Sequence, residues 1–301
     1  KKEIQSQNLQ ELLSQARQIS WQVHGKKLQC YIPGQMVYMG IRGRYPVISL
    51  TGGACSLRCD HCRGKILEEM IPVQNAEDLL ERIRLLKEQG EIGVLLSGGS
   101  DLRGRLPWDR FIKAIARVKK ETNLRISVHT GLIDVQTALA LEEAGVDEAL
   151  VDVIGSNETM QDVCHLDQGL DAMESTLNAL ATTKMRLVPH IVLGLHYGKI
   201  IGEWTALKMV ARYPLAGFVV VVIRPLRGTP VARVKPPAKE EIGRFLAVAR
   251  LTLPQTPISI GCARPFGVYR REIDILGVEA GINRIAMPSE EAIKKAREMK
   301  L

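Results

Sequence analysis

Hydrophobic positions recur with two periods along this chain. Between residues 3 and 24, Leu9, Leu12, Leu13, Ala16, Ile19 and Val23 fall at helical spacing among Gln, Arg and Glu, and Gly25 ends the run. Short extended stretches follow at 28–32 and 36–41, broken by Pro33-Gly34. From residue 46 an alternation sets in. Runs rich in Val, Ile and Leu at 46–50, 92–97, 124–129, 148–154, 185–193, 217–223, 257–260 and 282–287 predict strands. Between them, 76–89, 108–122, 135–144, 170–181, 203–213, 238–251 and 269–280 have the spacing of amphipathic helices. Eight strands alternating with helices predict an α/β fold, a (β/α)8 TIM-type barrel over residues 46–301. Residues 1–45 are expected to form an N-terminal helix and extended segment packed on that barrel. A doubly wound sheet would show the same alternation, usually with fewer strands.

Composition narrows this little. The 301 residues are 46% apolar and 25% charged, ordinary for a globular chain. No apolar run reaches the ~18 residues of a membrane span. The polar, helix-patterned N-terminus does not read as a signal peptide, and with few cysteines this leads us to expect a reducing, cytoplasmic setting. The net charge of +8 is either a solvated basic surface or a surface for an acidic partner or substrate. Nucleic acid is disfavoured, because aromatic residues make up 4% of the chain and none interleaves with a basic block for base stacking.

The cysteines change the picture more. Cys55, Cys59 and Cys62 put half of the six cysteines into eight residues, directly after the 46–50 run. Arg58 and Arg63 flank two of them, and neighbouring cations favour thiolates, the form that iron–sulfur clusters and zinc bind. Three thiolates leave one iron of a cubane [4Fe–4S] cluster without a protein ligand, open to a small molecule. A structural zinc site would want a fourth ligand at matching spacing, and no second Cys pair or Cys/His pair follows. A redox disulfide would use two cysteines rather than three.

The spacing Cys55-x-x-x-Cys59-x-x-Cys62 after an apolar strand resembles the signature of the radical S-adenosylmethionine (SAM) enzymes. His61 stands where that family usually has an aromatic residue. The resemblance implies a [4Fe–4S] cluster whose open iron chelates SAM, and reductive cleavage of SAM to a radical that abstracts hydrogen from an unactivated carbon. It also implies cofactor contacts at successive strand ends, where barrel enzymes keep their chemistry. Gly98-Gly99 matches the motif that meets the methionine amine, with Ser100 where an acid often follows and Asp101 one place later. Asp152 lies among apolar neighbours, so its carboxylate should point inward; it matches a ribose-binding position, or else caps the next turn. Val192 and Gly194 match the segment lining the adenine, with His190 where glycine is common. The helix after the fourth strand lacks the arginine that often grips the methionine carboxylate, leaving Arg186 or Arg224 as substitutes.

Cys30, Cys164 and Cys262 are scattered, and are either plain buried thiols or ligands of a second iron–sulfur cluster. The biotin synthase-like branch is the nearest resemblance, through SLTGGACSLRCDHCRGKILEEM, PHIVLGLHYGK and Gly228-Thr229-Pro230. The other cysteines that hold biotin synthase's second cluster are missing, so biotin synthase itself is excluded. Within that branch the chain resembles a subunit of the two-subunit type of lipoyl synthase. That resemblance implies sulfur insertion into an octanoyl chain on a lipoyl carrier protein or domain, a homologous partner subunit, and a low-potential electron donor such as ferredoxin. The alternative in radical chemistry is a carbon-skeleton rearrangement or a metallocofactor maturase step, like methylornithine synthase or the hydrogenase-cofactor maturase. A non-catalytic metal-binding module would need none of the strand-end glycine and Asp placements.

Overall fold

All eight expected strands form, and two more extend the sheet at its edges. The computed structural model describes residues 8–301. In chain order the N-terminal elements are α1 (Leu9–His24), β1 (Gln29–Tyr31), β2 (Val37–Tyr38), β3 (Ile41–Arg42), β4 (Val47–Ser49) and β5 (Ile71–Pro72). Then follow α2 (Ala76–Glu88), β6 (Gly93–Ser97), α3 (Ile112–Glu121), β7 (Arg125–His129), α4 (Val135–Glu143) and β8 (Glu148–Asp152). Next are α5 (Asn157–Asp162), α6 (Gly169–Ala181), β9 (Arg186–Leu193), α7 (Glu203–Val210) and β10 (Phe218–Val222). The chain closes with α8 (Lys239–Thr252), β11 (Ile258–Ile260), α9 (Val268–Glu279), β12 (Arg284–Ala286) and α10 (Glu290–Glu298).

The ten-stranded sheet runs β1-β12-β11-β10-β9-β8-β7-β6-β4-β5, and every pairing in it is parallel. It is a TIM-type sheet curled into a half-barrel and left open between β1 and β5. Helices cover its strands, so β10, Phe-Val-Val-Val-Val, is buried at every position. The β-to-α turns are capped by Asn75, Asp134 and Ser156, whose side chains accept from the third residue of each helix and satisfy its free N–H groups.

Part of the expected N-terminal helix, before residue 8, lies outside the described residues. The rest packs as expected. Leu12, Leu13 and Ala16 of α1 are fully buried, worth about 1.5–3 kcal/mol for each leucine. Ser20 Oγ donates to Gly281 O at 2.6 Å and Arg17 to Glu279 O at 2.9 Å. Gly281 has φ +74°, and a Cβ there would lie 2.9 Å from the Arg17 Cα, so this helix seat admits only glycine.

Getting from the end of β1 to the start of the parallel β4 requires the chain to run back along the open seam. The antiparallel hairpin β2–β3 does this. It touches both sides: Tyr38 Oη donates to Pro288 O beyond β12, and Arg42 pairs with Glu91 ahead of β6. Among the described residues no helix is long and apolar enough to cross a membrane.

Candidate active site

The cysteine loop leaves the C-terminal end of β4 and is tied down at once. Ser49 Oγ donates to Gly52 O at 2.6 Å and Thr51 Oγ1 to Ala54 O at 2.9 Å. The next turn is closed by Cys62 N and Arg63 N, both donating to Cys59 O, with Arg58, Arg63 and Gly64 in the left-handed region. This curl brings Cys55, Cys59 and Cys62 to one cleft, whose empty volume, open solvent at its mouth included, is about 1020 Å³. Cys55 is half-buried, and Cys59 and Cys62 are buried.

The end of β6 forms the adjacent wall. Gly99 N donates to Thr51 Oγ1 at 2.7 Å, and Ser56 N to Ser100 O at 2.8 Å. A Cβ on Gly99 would lie 2.0 Å from Ala54 O and 2.6 Å from Cys55 Cβ. The glycine is therefore needed first to seat the cysteine loop. Gly98, Gly99 and Ser100 line the cleft with His129 of β7, Asp152 of β8 and Val192 of β9.

A second segment, the α5–α6 connection, clamps the loop from below. Asp60 N donates to Val163 O at 2.8 Å, and Cys59 Sγ to Cys164 O at 3.4 Å. The Asp60 carboxylate receives the Tyr197 hydroxyl at 2.6 Å and the Arg63 guanidinium at 2.6 Å, with His165 Nε2 at 3.4 Å. Burial opposes its ionisation, but these donors prevail and hold the carboxyl below its usual range. The same bond pushes the Tyr197 hydroxyl up to about 12.

The thiols differ. The neighbouring Cys164 thiol lowers Cys59, while Cys164 itself is raised by Cys59 and by burial. Burial pushes Cys62 up to about 11, so a thiolate there needs a cationic centre beside it. Burial lowers the His61 pKa from its ordinary value, and its Nδ1 is buried at the cleft without a hydrogen-bond partner. Ligand atoms of Cys59, His61 and Cys164 all lie within 4.8 Å of one another. Across the cleft, His129 Nδ1 stands 3.7 Å from Asp152 Oδ2, and its ring centroid is 5.2 Å from that of His190. Burial first, and His129 second, depress His190 to about 4.

The cleft thus gathers Cys55, Cys59, Cys62, His61, Gly98, Gly99, Ser100, Asp152 and Val192, together with Cys164. Four expectations need correction. The Asp152 side chain is 56% exposed rather than buried, because the cleft opens at the end of β8. Gly194 does not line the cleft; it makes a left-handed turn in which a Cβ would meet Pro237 at 2.6 Å. Cys164 lies against Cys59, whereas Cys30 and Cys262 are exposed at β1 and beyond β11, outside the cleft. Arg186 begins β9, at the far end from the cleft, and pairs with Glu148, while Arg224 stacks on Phe266; neither reaches the cleft. Sequence reasoning passed over His129, Asp60 and Tyr197. Each had a position that could have drawn attention: Asp60 lies inside the cysteine motif, His129 ends the expected 124–129 strand, and Tyr197 lies within PHIVLGLHYGK.

The sequence profile of the radical SAM superfamily matches residues 49–198, from the end of β4 to the turn after β9. Biotin synthase 2 of Corynebacterium diphtheriae is 25% identical over 225 residues, 72% of this chain and 67% of that protein. Biotin synthase of Desulforudis audaxviator is 25% identical over 246 residues, 79% of this chain and 73% of that protein. Among solved structures, methylornithine synthase (PylB) superposes with a TM-score of 0.67 at 19% identity, over 95% of this chain and 80% of that one. HydG, a maturase of the [FeFe]-hydrogenase, gives 0.68 at 15% identity, over 94% of this chain and 62% of that one. With three thiols on one loop at the strand ends, a glycine ridge seating that loop, and this match across both, the chain belongs to the radical SAM superfamily and is a radical SAM enzyme.

Proposed function

We propose that this enzyme inserts sulfur at an unactivated carbon of an octanoyl chain carried on a lipoyl carrier protein or domain, working with a homologous partner subunit. Membership of the superfamily implies a [4Fe–4S] cluster and SAM, and the residues fit both. Cys55, Cys59 and Cys62 are three convergent thiols, two of them buried, and burial raises Cys62 so far that it needs a cationic centre to ionise. His61 Nδ1 is a buried polar atom awaiting a partner at the cleft. Asp152 offers an exposed carboxylate at the strand end. When bound, these groups supply the electron and the radical for hydrogen abstraction.

The chain's own residues do the rest. The Asp60 bonds to Tyr197 and Arg63 hold the cysteine loop in place. Gly99 lets that loop sit against β6, and Val192 and Leu195 give the cleft apolar walls that exclude water. A ferredoxin-like protein is the electron donor in this reading.

The observation that carries the sulfur-insertion reading is the likeness to biotin synthases over about three quarters of the chain. Cys30 and Cys262 support it as the thiols available to a second iron–sulfur cluster, the sulfur source. They belong to one neighbourhood, since Tyr31, next to Cys30, is pushed up to about 12 by burial and by the charge of Cys262.

One observation favours a second reading, a radical rearrangement or maturase step without sulfur transfer: Cys164 lies in the cleft, so only two thiols remain outside it. Incubating the enzyme and its partner subunit with reductant, SAM and an octanoylated carrier domain separates the two. Sulfur insertion yields deoxyadenosine together with a thiolated octanoyl chain by mass spectrometry. Deoxyadenosine with an untouched octanoyl chain would sink the first reading.

A further inference from the structure

No carboxylate occurs between Glu203 and Glu240, a stretch that runs from α7 through β10 to the start of α8. The loop after β10 in this stretch carries Arg224, Arg227, Arg233 and Lys235. Two backbone contacts fix where it lies. Gly228 packs on Lys65, with the Lys65 Nζ 2.8 Å from where a Cβ would be, and Lys65 sits between Gly64 and Ile66 on the wall of the cleft. At its other end a Cβ on Gly198 would lie 2.0 Å from Lys235 O, which sets Lys199 beside Lys235. The six cations therefore form an arc that begins at the mouth of the cleft and runs outward.

Arg227, Arg233, Lys235 and Lys199 are exposed, and among the described residues no carboxylate pairs with any of the six. This contrasts with Arg63, Lys119, Arg212 and Lys239, each in an ion pair of 4 Å or less. The loop is also stiff. Pro225, Pro230, Pro236 and Pro237 punctuate it, and Thr229 Oγ1 bonds back to Leu226 O at 2.7 Å. A preformed surface has little ordering entropy to lose on binding.

We infer that this arc is the docking surface for an acidic protein domain that presents its tethered substrate arm to the cleft. The inference rests on the carrier-bound substrate proposed above and assigns that carrier a place on the molecule. The charge pattern selects an acidic partner, since uncompensated like charges on one face steer and orient a complementary surface. It favours a protein over nucleic acid because no aromatic residue lies between Phe218 and Phe245, and Phe266, exposed beside the arc, is a single ring already under the Arg224 guanidinium rather than a row of stacking platforms. The cations are spread along the surface rather than converging on a point, which suits a domain rather than a small anion. A domain seated there stands at the cleft's edge, within reach of a flexible arm.

The test is the triple variant Arg227→Glu/Arg233→Glu/Lys235→Glu, with the matching Gln triple as a milder companion should the first fold poorly. The probe is an octanoylated lipoyl carrier domain of net negative charge. The wild type should bind it with an affinity that falls as salt rises. The Glu variant should bind at least about tenfold more weakly at low salt, and the Gln variant in between. The KM for the carrier domain should rise in step, while turnover of a short octanoyl-lysyl peptide stays unchanged. Equal binding by wild type and variants would overturn the proposal. So would an RNA oligonucleotide that binds more tightly than the domain and displaces it. If binding follows the arc but the wild type thiolates neither substrate, the docking surface stands and the sulfur-insertion reading falls.

Discussion

The cysteines mark two unlike halves of the molecule. Cys55, Cys59, Cys62 and Cys164 face one cleft at the ends of β4, β6 and β8. Cys30 and Cys262 are exposed outside that cleft, on β1 and just beyond β11. The polar groups beneath them differ in kind. Beside β11 and β12, Arg264 and Asp274 are both 0% exposed, and the guanidinium donates to Asp274, Gly261 O, Ala286 O and Met287 O. On the cleft side His61 Nδ1 is buried with no partner, and the Asp152 carboxylate faces open space. A satisfied buried network builds the frame; an unsatisfied buried group beside a cleft is ready for a ligand. Buried nitrogens without a hydrogen-bond partner also occur outside the cleft, at Arg250 Nε and, beside the Arg264–Asp274 pair, at Arg270 Nε, so it is the open cleft beside His61, and not a missing partner alone, that marks the place for chemistry.

The largest effect should come from the cleft thiols. Changing any one of Cys55, Cys59 or Cys62 to Ala should cut deoxyadenosine formation by more than about a thousandfold, to background, because each supplies one of three thiolates to the cluster. Changing Cys30 or Cys262 should leave SAM cleavage standing. A cleavage rate that collapses with Cys262→Ala and survives Cys59→Ala would break the comparison.

The next effect tests the frame. Asp274→Ala leaves the Arg264 charge buried without its partner, and should cost about 3–5 kcal/mol in denaturant unfolding. SAM cleavage per folded molecule should hardly change. If stability is kept and cleavage is lost, the pair belongs to the chemistry and not to the frame.

His190 ties the cleft wall to pH. Its pKa is depressed to about 4 from an ordinary 6.5, so the fold holds it neutral while the unfolded chain takes up a proton first. Its stabilisation is complete above pH 6.5 and is lost as pH falls toward 4. Allowing for the part of the ring that is open to solvent, the loss is about 2 kcal/mol. The melting temperature of the wild type should drop over that window more than that of His190→Gln. Parallel pH profiles would remove His190 as the cause.

The smallest effect sharpens the account of the cysteine loop. Tyr197→Phe removes one bond to Asp60 and should cost about 1–2 kcal/mol while raising the KM for SAM a few-fold. An unchanged KM would mean that the clamp stabilises the chain without shaping the cleft.

Much of this architecture could be read from the chain, for identifiable reasons. The eight inner strands are runs of β-branched and aliphatic residues long enough to stand out, and each forms within a few residues of its expected place. β5 was missed because two residues, one of them proline, make no periodic signal. The open seam was not foreseen, since pairing of the outermost strands depends on how far the sheet curls. Within the cleft, the cysteine spacing and the Gly98-Gly99 pair are local and legible. The place of Cys164 is not, because it depends on Asp60 N meeting Val163 O across about a hundred residues of chain. Gly194 illustrates the converse error. Its left-handed turn against Pro237 explains the glycine fully, and no ligand is needed.

The division between the two halves has one direct test. Iron and sulfide would be counted in the anaerobically reconstituted variant with Cys55, Cys59 and Cys62 all changed to Ala. The sulfur-insertion account predicts that iron and sulfide are retained, in comparable amounts, and are lost only when Cys30 and Cys262 are changed as well. Loss of essentially all iron from the first variant would contradict it, leaving a single cluster in the cleft and a radical reaction that transfers no sulfur.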